Sequence, residues 1–140
     1  MELRTGELIM MLSDGMGSGT RACRDSQNLV DVLESLVEAG FRKESAIRLI
    51  NTLFVMSYAG KTFTTLDMTA IDLYSGSYEI VKNGAAATFI KKKDGVKTIF
   101  SSTLPVGVEM NADPETVIQD LEEGDFIVMV SDGVVDAFPG

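Results

Sequence analysis

The chain contains no histidine and one cysteine, Cys23. Without an imidazole, the base-activated serine and cysteine nucleophiles of many hydrolases cannot be assembled. A single thiol forms neither a disulfide nor a zinc cluster within one chain, which fits a reducing cytosol. Cys23 falls among helical residues, so its expected role is that of a small packing side chain. Positive charge is also scarce, with 12 Lys and Arg against 21 Asp and Glu and a formal net charge of -9. Such a chain makes a poor nucleic-acid binder, because counterion release needs basic clusters. It suits divalent cations or a basic protein surface, although acidity also serves solubility alone. No apolar run reaches the length of a membrane span, and nothing before the first strand reads as a signal peptide. What remains is a chain of 140 residues, 45% of them hydrophobic. That is enough for one domain, residues 1–140, with a real core.

The most informative local features are two Ser-Asp-Gly segments, Ser13-Asp14-Gly15 and Ser131-Asp132-Gly133. Each follows an apolar run that reads as a buried strand, Leu8–Leu12 and Phe126–Val130. An apolar strand that stops at Ser-Asp-Gly puts a carboxylate where the chain leaves the core. Asp and Gly together offer a side-chain and a backbone oxygen to a hard cation. One such Asp alone often does no more than bond turn amides. Two matching corners, on strands that meet, would bring like charges together and favour a cation between them. With oxygen ligands only, Mg²⁺ or Mn²⁺ fits better than zinc.

Between the corners the pattern predicts two helices. The first spans about Thr20 to Ala39, with Leu29, Val32, Leu33, Leu36 and Val37 on one face and Gly40 as its stop. The second spans about Lys43 to Met56, with a stripe of Ala46, Leu49, Ile50 and Leu53. From Phe63 the period changes to that of strands: Phe63–Leu73, Tyr78–Lys82, a hairpin of Ala86–Lys91 and Val96–Phe100 about Lys93-Asp94-Gly95, then Thr116–Leu121 and Phe126–Ser131. This order describes an α+β domain, an antiparallel meander with a helix pair on one face. Asp67 and Asp72 are expected to be solvated outward residues, and Asp120, Glu122, Glu123 and Asp125 a solvated hairpin. Asp136 could reach the second corner or favour a helix N-terminus. Arg21 and Arg24 could bind phosphate or lie on the surface, and the eight Met residues serve as core filler. The glycines at 15, 17 and 19 match neither a dinucleotide fingerprint nor a P-loop, since Thr20 stands where the first needs Gly and no Gly-Lys-Ser/Thr follows.

Four strings occur in order: Leu12-Ser13-Asp14-Gly15-Met16-Gly17-Ser18-Gly19, Thr65-Leu66-Asp67-Met68-Thr69-Ala70-Ile71-Asp72-Leu73, Leu104-Pro105-Val106-Gly107 and Gly124-Asp125-Phe126-Ile127-Val128-Met129-Val130-Ser131-Asp132-Gly133. Together they resemble the metal-dependent serine/threonine phosphatases of the PPM (type 2C) family, and most of all its sporulation branch. The resemblance implies an α-β-β-α sandwich with a two-metal Mn²⁺ or Mg²⁺ centre at one end of the sheets. It makes Asp14 the metal-bridging aspartate, the Gly15 carbonyl a further ligand and Asp132 another metal-binding aspartate. The helix pair matches elements thought to switch the sporulation enzymes by moving the Asp-Gly turn. The family's earlier Gly-Asp strand and later Asp-Asp strand have no counterpart in this sequence. The expectation is therefore a central piece of the domain, truncated at both ends and without the helices that cover the second sheet. Ala85 and Ala86 stand where many relatives outside the sporulation branch carry a His.

The chemistry so implied is direct hydrolysis of a phosphoserine by metal-activated water, with Asp14 and Asp132 in the catalytic centre. The implied substrate is a phosphorylated anti-sigma-factor antagonist, in a cytoplasmic location, the parent protein being attached to a membrane or not. Two rival readings stand beside it. One is a non-catalytic phosphatase-fold module for binding or regulation; the other, resting on the glycine run alone, is a nucleotide-binding protein. A truncated sandwich also leaves strand edges and apolar surface uncovered, from which self-association is expected.

Overall fold

The computed structural model describes residues 1–15, 20–58, 63–110, 113–131 and 133–134. In chain order these form β1 (Glu7–Gly15), α1 (Thr20–Glu38), α2 (Lys43–Tyr58), β2 (Thr64–Asp72), β3 (Ser77–Asn83), β4 (Thr88–Lys92), β5 (Gly95–Ile99), β6 (Glu115–Asp120) and β7 (Phe126–Met129). The expected meander is divided between two sheets. One has the order β1-β2-β3-β6 and the other β5-β4-β7, with antiparallel neighbours throughout.

The helices cover one face of the first sheet. Leu29, Leu33 and Val37 of α1 and Ala46, Ile47, Ile50 and Phe54 of α2 close over Ile9, Leu66, Met68, Ala70 and Val81. The other face of that sheet meets the second sheet through Tyr78, Ile80, Ile90 and Ile99, flanked by Ile71, Val117 and Ile127. Each fully buried Leu or Ile in these layers contributes about 1.5–3 kcal/mol relative to an exposed one. The second sheet carries exposed Val96, Phe126 and Val128. Among the described residues no helix is long and apolar enough to cross a membrane.

Several local readings hold. Helix α1 ends in a Schellman motif: Gly40, at φ 94°, donates its N–H to the Val37 carbonyl, and Phe41 donates to Leu36. Lys93-Asp94 joins β4 to β5. Other readings are corrected. The buried face of α2 comprises Ala46, Ile47, Ile50, Asn51 and Phe54, whereas Leu49 and Leu53 are exposed, as is Val32 on α1. The sequence offers α2 two apolar stripes, and Asn51 marks the one that packs inward. Its Oδ1 accepts the Gly107 N–H at 2.8 Å and its Nδ2 donates to the Glu109 carbonyl at 2.8 Å, tying α2 to the Leu-Pro-Val-Gly segment. Cys23 is exposed rather than packed, and the inward place nearby is taken by Asp25.

Asp72 is exposed as expected and closes the β2–β3 turn, its carboxylate accepting the N–H groups of Tyr74 at 2.8 Å and Ser75 at 3.2 Å. Asp125 is not merely solvated. It accepts the Glu122 N–H at 3.0 Å and pairs with Lys92 at 2.9 Å. These amide bonds first, and for Asp125 the ammonium second, hold both carboxyls below the ordinary value of 3.8. A carboxyl depressed on folding stabilises the protein above its unfolded pKa, and that stability is lost as pH falls through the folded pKa. The melting temperature should therefore fall between about pH 5 and 2, and Asp125→Asn should flatten this acid limb. Thermal melts across that range check it; an unchanged slope would show that the turn does not bind its proton differently on folding.

Candidate functional site

Strand β1 alternates. Ile9 and Met11 face the helices, so Leu12 and Asp14 project from the opposite face, toward the second sheet. Contrary to the expected corner, the strand does not stop at Ser13-Asp14-Gly15 but runs through it, pairing Asp14 with Thr65 and Gly15 with Thr64. The pairing explains the continuation. The Asp14 N–H donates to Thr65 Oγ1 at 3.1 Å, that hydroxyl lies 3.3 Å from the Asp14 carbonyl, and Ser13 Oγ donates to the Thr65 carbonyl at 2.8 Å. Thr64 in turn exchanges two backbone hydrogen bonds of 2.9 Å with Val106, so the Leu-Pro-Val-Gly segment braces the same strand end. Gly15 is sterically required. A Cβ there would run into the Ala22 carbonyl oxygen and lie 2.9 Å from Ala22 Cα, so only glycine lets α1 pass this close.

Asp14 borders a small cavity between the ends of the two sheets. It is lined by Leu12 and Asp14 of β1, Thr65 and Asp67 of β2, Ala85 and Ala86 after β3, and Val130 and Ser131 after β7. β1 and β7 belong to different sheets, so their ends approach across the sandwich rather than as neighbouring strands. Asp132 and Asp136 lie outside the described residues, as do Met16, Gly17, Ser18 and Gly19. Arg21 and Arg24 are exposed on the first turns of α1. The exposed Asp14 carboxylate makes no hydrogen bond among the described residues, and these residues contain no group of three metal-binding side chains.

The cavity wall holds a residue that the sequence reading misplaced. Asp67 is not solvated; it is 1% exposed, as is Lys82. Lys82 Nζ donates to Asp67 Oδ2 at 2.7 Å and to the Ala86 carbonyl at 2.7 Å, and Thr88 Oγ1 donates to the same Oδ2 at 2.8 Å. Asp67 Oδ1 is buried and has no hydrogen-bond partner among the described residues. A signal for this pair exists in the sequence. A hairpin folded about Ser75-Gly76 brings Asp67 opposite Lys82, the one charge on the strand face that also carries Tyr78 and Ile80. The interior of the sandwich is thus apolar at one end, around Ile80 and Ile90, and polar at the end that carries Asp14.

The stage II sporulation protein E (SpoIIE) family model matches residues 4–140. Stage II sporulation protein E of Bacillus subtilis (strain 168) is 35% identical over 136 residues, which are 97% of this chain and 16% of that protein. The chain therefore spans about a sixth of the length of that relative. A solved structure of the PP2C phosphatase domain and a fragment of the regulatory domain of the cell fate determinant SpoIIE from Bacillus subtilis superposes with a TM-score of 0.80 at 33% identity, covering 94% of this chain and 41% of that one. RsbX, in a crystal structure with magnesium, shares the fold at a TM-score of 0.77 and 19% identity, over 94% of this chain and 63% of that one. Two antiparallel sheets with a helix pair on one face are the arrangement of these phosphatase domains, and the chain belongs to the stage II sporulation protein E family.

Proposed function

We propose that the chain forms part of a metal-dependent protein serine/threonine phosphatase, with Asp14, the Gly15 carbonyl and Asp132 holding Mn²⁺ or Mg²⁺. The observation that carries this reading is the meeting of two strand ends at one cavity. Asp14 and Val130-Ser131, which lead into Asp132, line the same cavity, and so does Asp67, whose Oδ1 is buried without a partner among the described residues. A buried acceptor without a donor, in a site whose donor atoms are all oxygens, fits a hard cation. The structure of RsbX with magnesium supports the same class of ion. Bound there, the cation supplies positive charge that lowers the pKa of water toward neutrality and offsets the charge of a phosphoryl group. The protein's own part is positional. Thr65 fixes the Asp14 backbone on both sides, and Gly15 lets α1 rest against the same strand end. With no histidine in the chain and Cys23 remote in role, the attacking group in this reading is water.

The substrate in this reading is a phosphoserine on an anti-sigma-factor antagonist, as the sporulation relationship suggests. The test is hydrolysis of such a phosphoprotein by the full-length protein with Mn²⁺, with Mg²⁺ and after chelation. Turnover should require the metal and return when it is restored. Turnover unaffected by chelation would end the metal reading, and none under any metal would favour a non-catalytic phosphatase-fold module.

A further inference from the structure

We propose that Asp67 is a positioning residue for the cation site, its free Oδ1 presenting a second negative oxygen to the cation that Asp14 holds; the inference rests on the metal reading above. Asp14 pairs with Thr65 and Leu12 with Asp67, so the two aspartates are diagonal neighbours on adjacent strands and project from the same face. Such positions lie about 7–8 Å apart, within mutual electrostatic reach. Both border the same cavity. The Asp67 carboxylate is held on one side only: Lys82 and Thr88 both bind Oδ2, and Oδ1 is left buried without a donor. The Asp67–Lys82 pair is therefore an oriented dipole whose ammonium end is taken up by Oδ2 and the Ala86 carbonyl. Its negative end is Oδ1. Asp67 and Lys82 are both buried, and there such a dipole acts more strongly than it would at the surface.

The pair also answers a difficulty. A lone Asp67 would repel Asp14, since both are negatively charged. Lys82 offsets that charge while leaving one oxygen available. Pairing with Lys82 engages only Oδ2, so the ion pair by itself does not account for the second, unpartnered carboxylate oxygen. Groups that support a metal site without being its main ligands commonly govern affinity by 10–100-fold.

The experiment is Mn²⁺ titration of the full-length protein, with free Mn²⁺ read by electron paramagnetic resonance, so that no turnover is needed. Asp67→Asn combined with Lys82→Met removes both buried charges at similar volume. We expect Mn²⁺ affinity to fall by about 10–100-fold while the urea midpoint stays near that of the parent. Thr88→Val removes one of the two donors that fix Oδ2 and so loosens the orientation of Oδ1; it should weaken Mn²⁺ binding by less than the roughly 10–100-fold of the double variant, with Thr88→Ser restoring it. A double variant that binds Mn²⁺ like the parent would overturn the proposal and leave Asp67 as a counter-ion for Lys82. If the double variant does not fold, parent-like affinity in Thr88→Val overturns it instead. Asp14→Ala separates the two levels: parent-like Mn²⁺ binding in that variant removes the metal reading itself, whereas loss there with retention in the Asp67 variants removes only this inference.

Discussion

Lys82→Met should lower the free energy of unfolding by about 3–5 kcal/mol, the cost of breaking a buried ion pair from one side. Lys82 and Asp67 are each 1% exposed, and the ammonium serves two acceptors, Asp67 Oδ2 and the Ala86 carbonyl, both at 2.7 Å. Removing it leaves an ionised carboxylate inside the sandwich with only the Thr88 hydroxyl for support. With domain stabilities of about 5–15 kcal/mol, this loss is a large fraction of the whole. Removing both charges in Asp67→Asn with Lys82→Met should recover most of it, because a buried pair contributes little net stability over neutral side chains that pack as well. The exposed Arg48–Asp113 pair, at 2.9 Å, gives the contrast. Its partners are more than half exposed, and such pairs contribute about 0–1 kcal/mol. Urea unfolding of the single and double variants measures these differences. A loss below about 1 kcal/mol for Lys82→Met would mean that water reaches the carboxylate once the lysine is gone.

The same pair shows where sequence reading reached its limit. Residue alternation in Thr64–Asp72 indicates two faces, and one of them carries Asp67 and Thr69, which looks wet. In the fold, β2 is the strand between β1 and β3, with helices on one side and the second sheet on the other. Asp67 and Thr69 are therefore buried by elements far away in sequence, Lys82 and Thr88 among them. Leu49 and Leu53 fail for a related reason. Periodicity defines apolar stripes on α2 but not which of two stripes meets the sheet; Asn51, a polar residue, decides it through the Gly107 amide. By contrast, the apolar run of β1 up to its end, α1, the Gly40 stop and the Lys93-Asp94 hairpin rest on local signals and are legible in the sequence. Asp14 stands out in the sequence as an acidic residue followed by glycine at the end of an apolar run, and the register with Thr65 places it at the cavity. Its neighbour in the cavity does not stand out, because finding Asp67 required the register of a hairpin.

Asp14→Ala should abolish metal-dependent turnover in the full-length protein, by about a thousandfold or more, or some 4 kcal/mol in barrier height. The same substitution should change unfolding free energy by no more than about 0.5 kcal/mol. The contrast follows from how the residue is held. Its fixed contacts are backbone ones, the N–H and carbonyl that meet Thr65 Oγ1, and alanine keeps both. The carboxylate is exposed and makes no hydrogen bond among the described residues, so folding loses nothing when it goes. An ordinary surface aspartate would be silent in both assays, and a structural one would lower stability and activity together. A carboxylate retained for the chemistry separates them, and the Mn²⁺ titration of the same variant ties that role to the cation. Asp132→Ala should show the same loss of turnover with Mn²⁺ supplied. Full turnover in either variant would mean that the strand ends meet for structural reasons alone, and that the phosphoryl chemistry of this family is carried here by other groups.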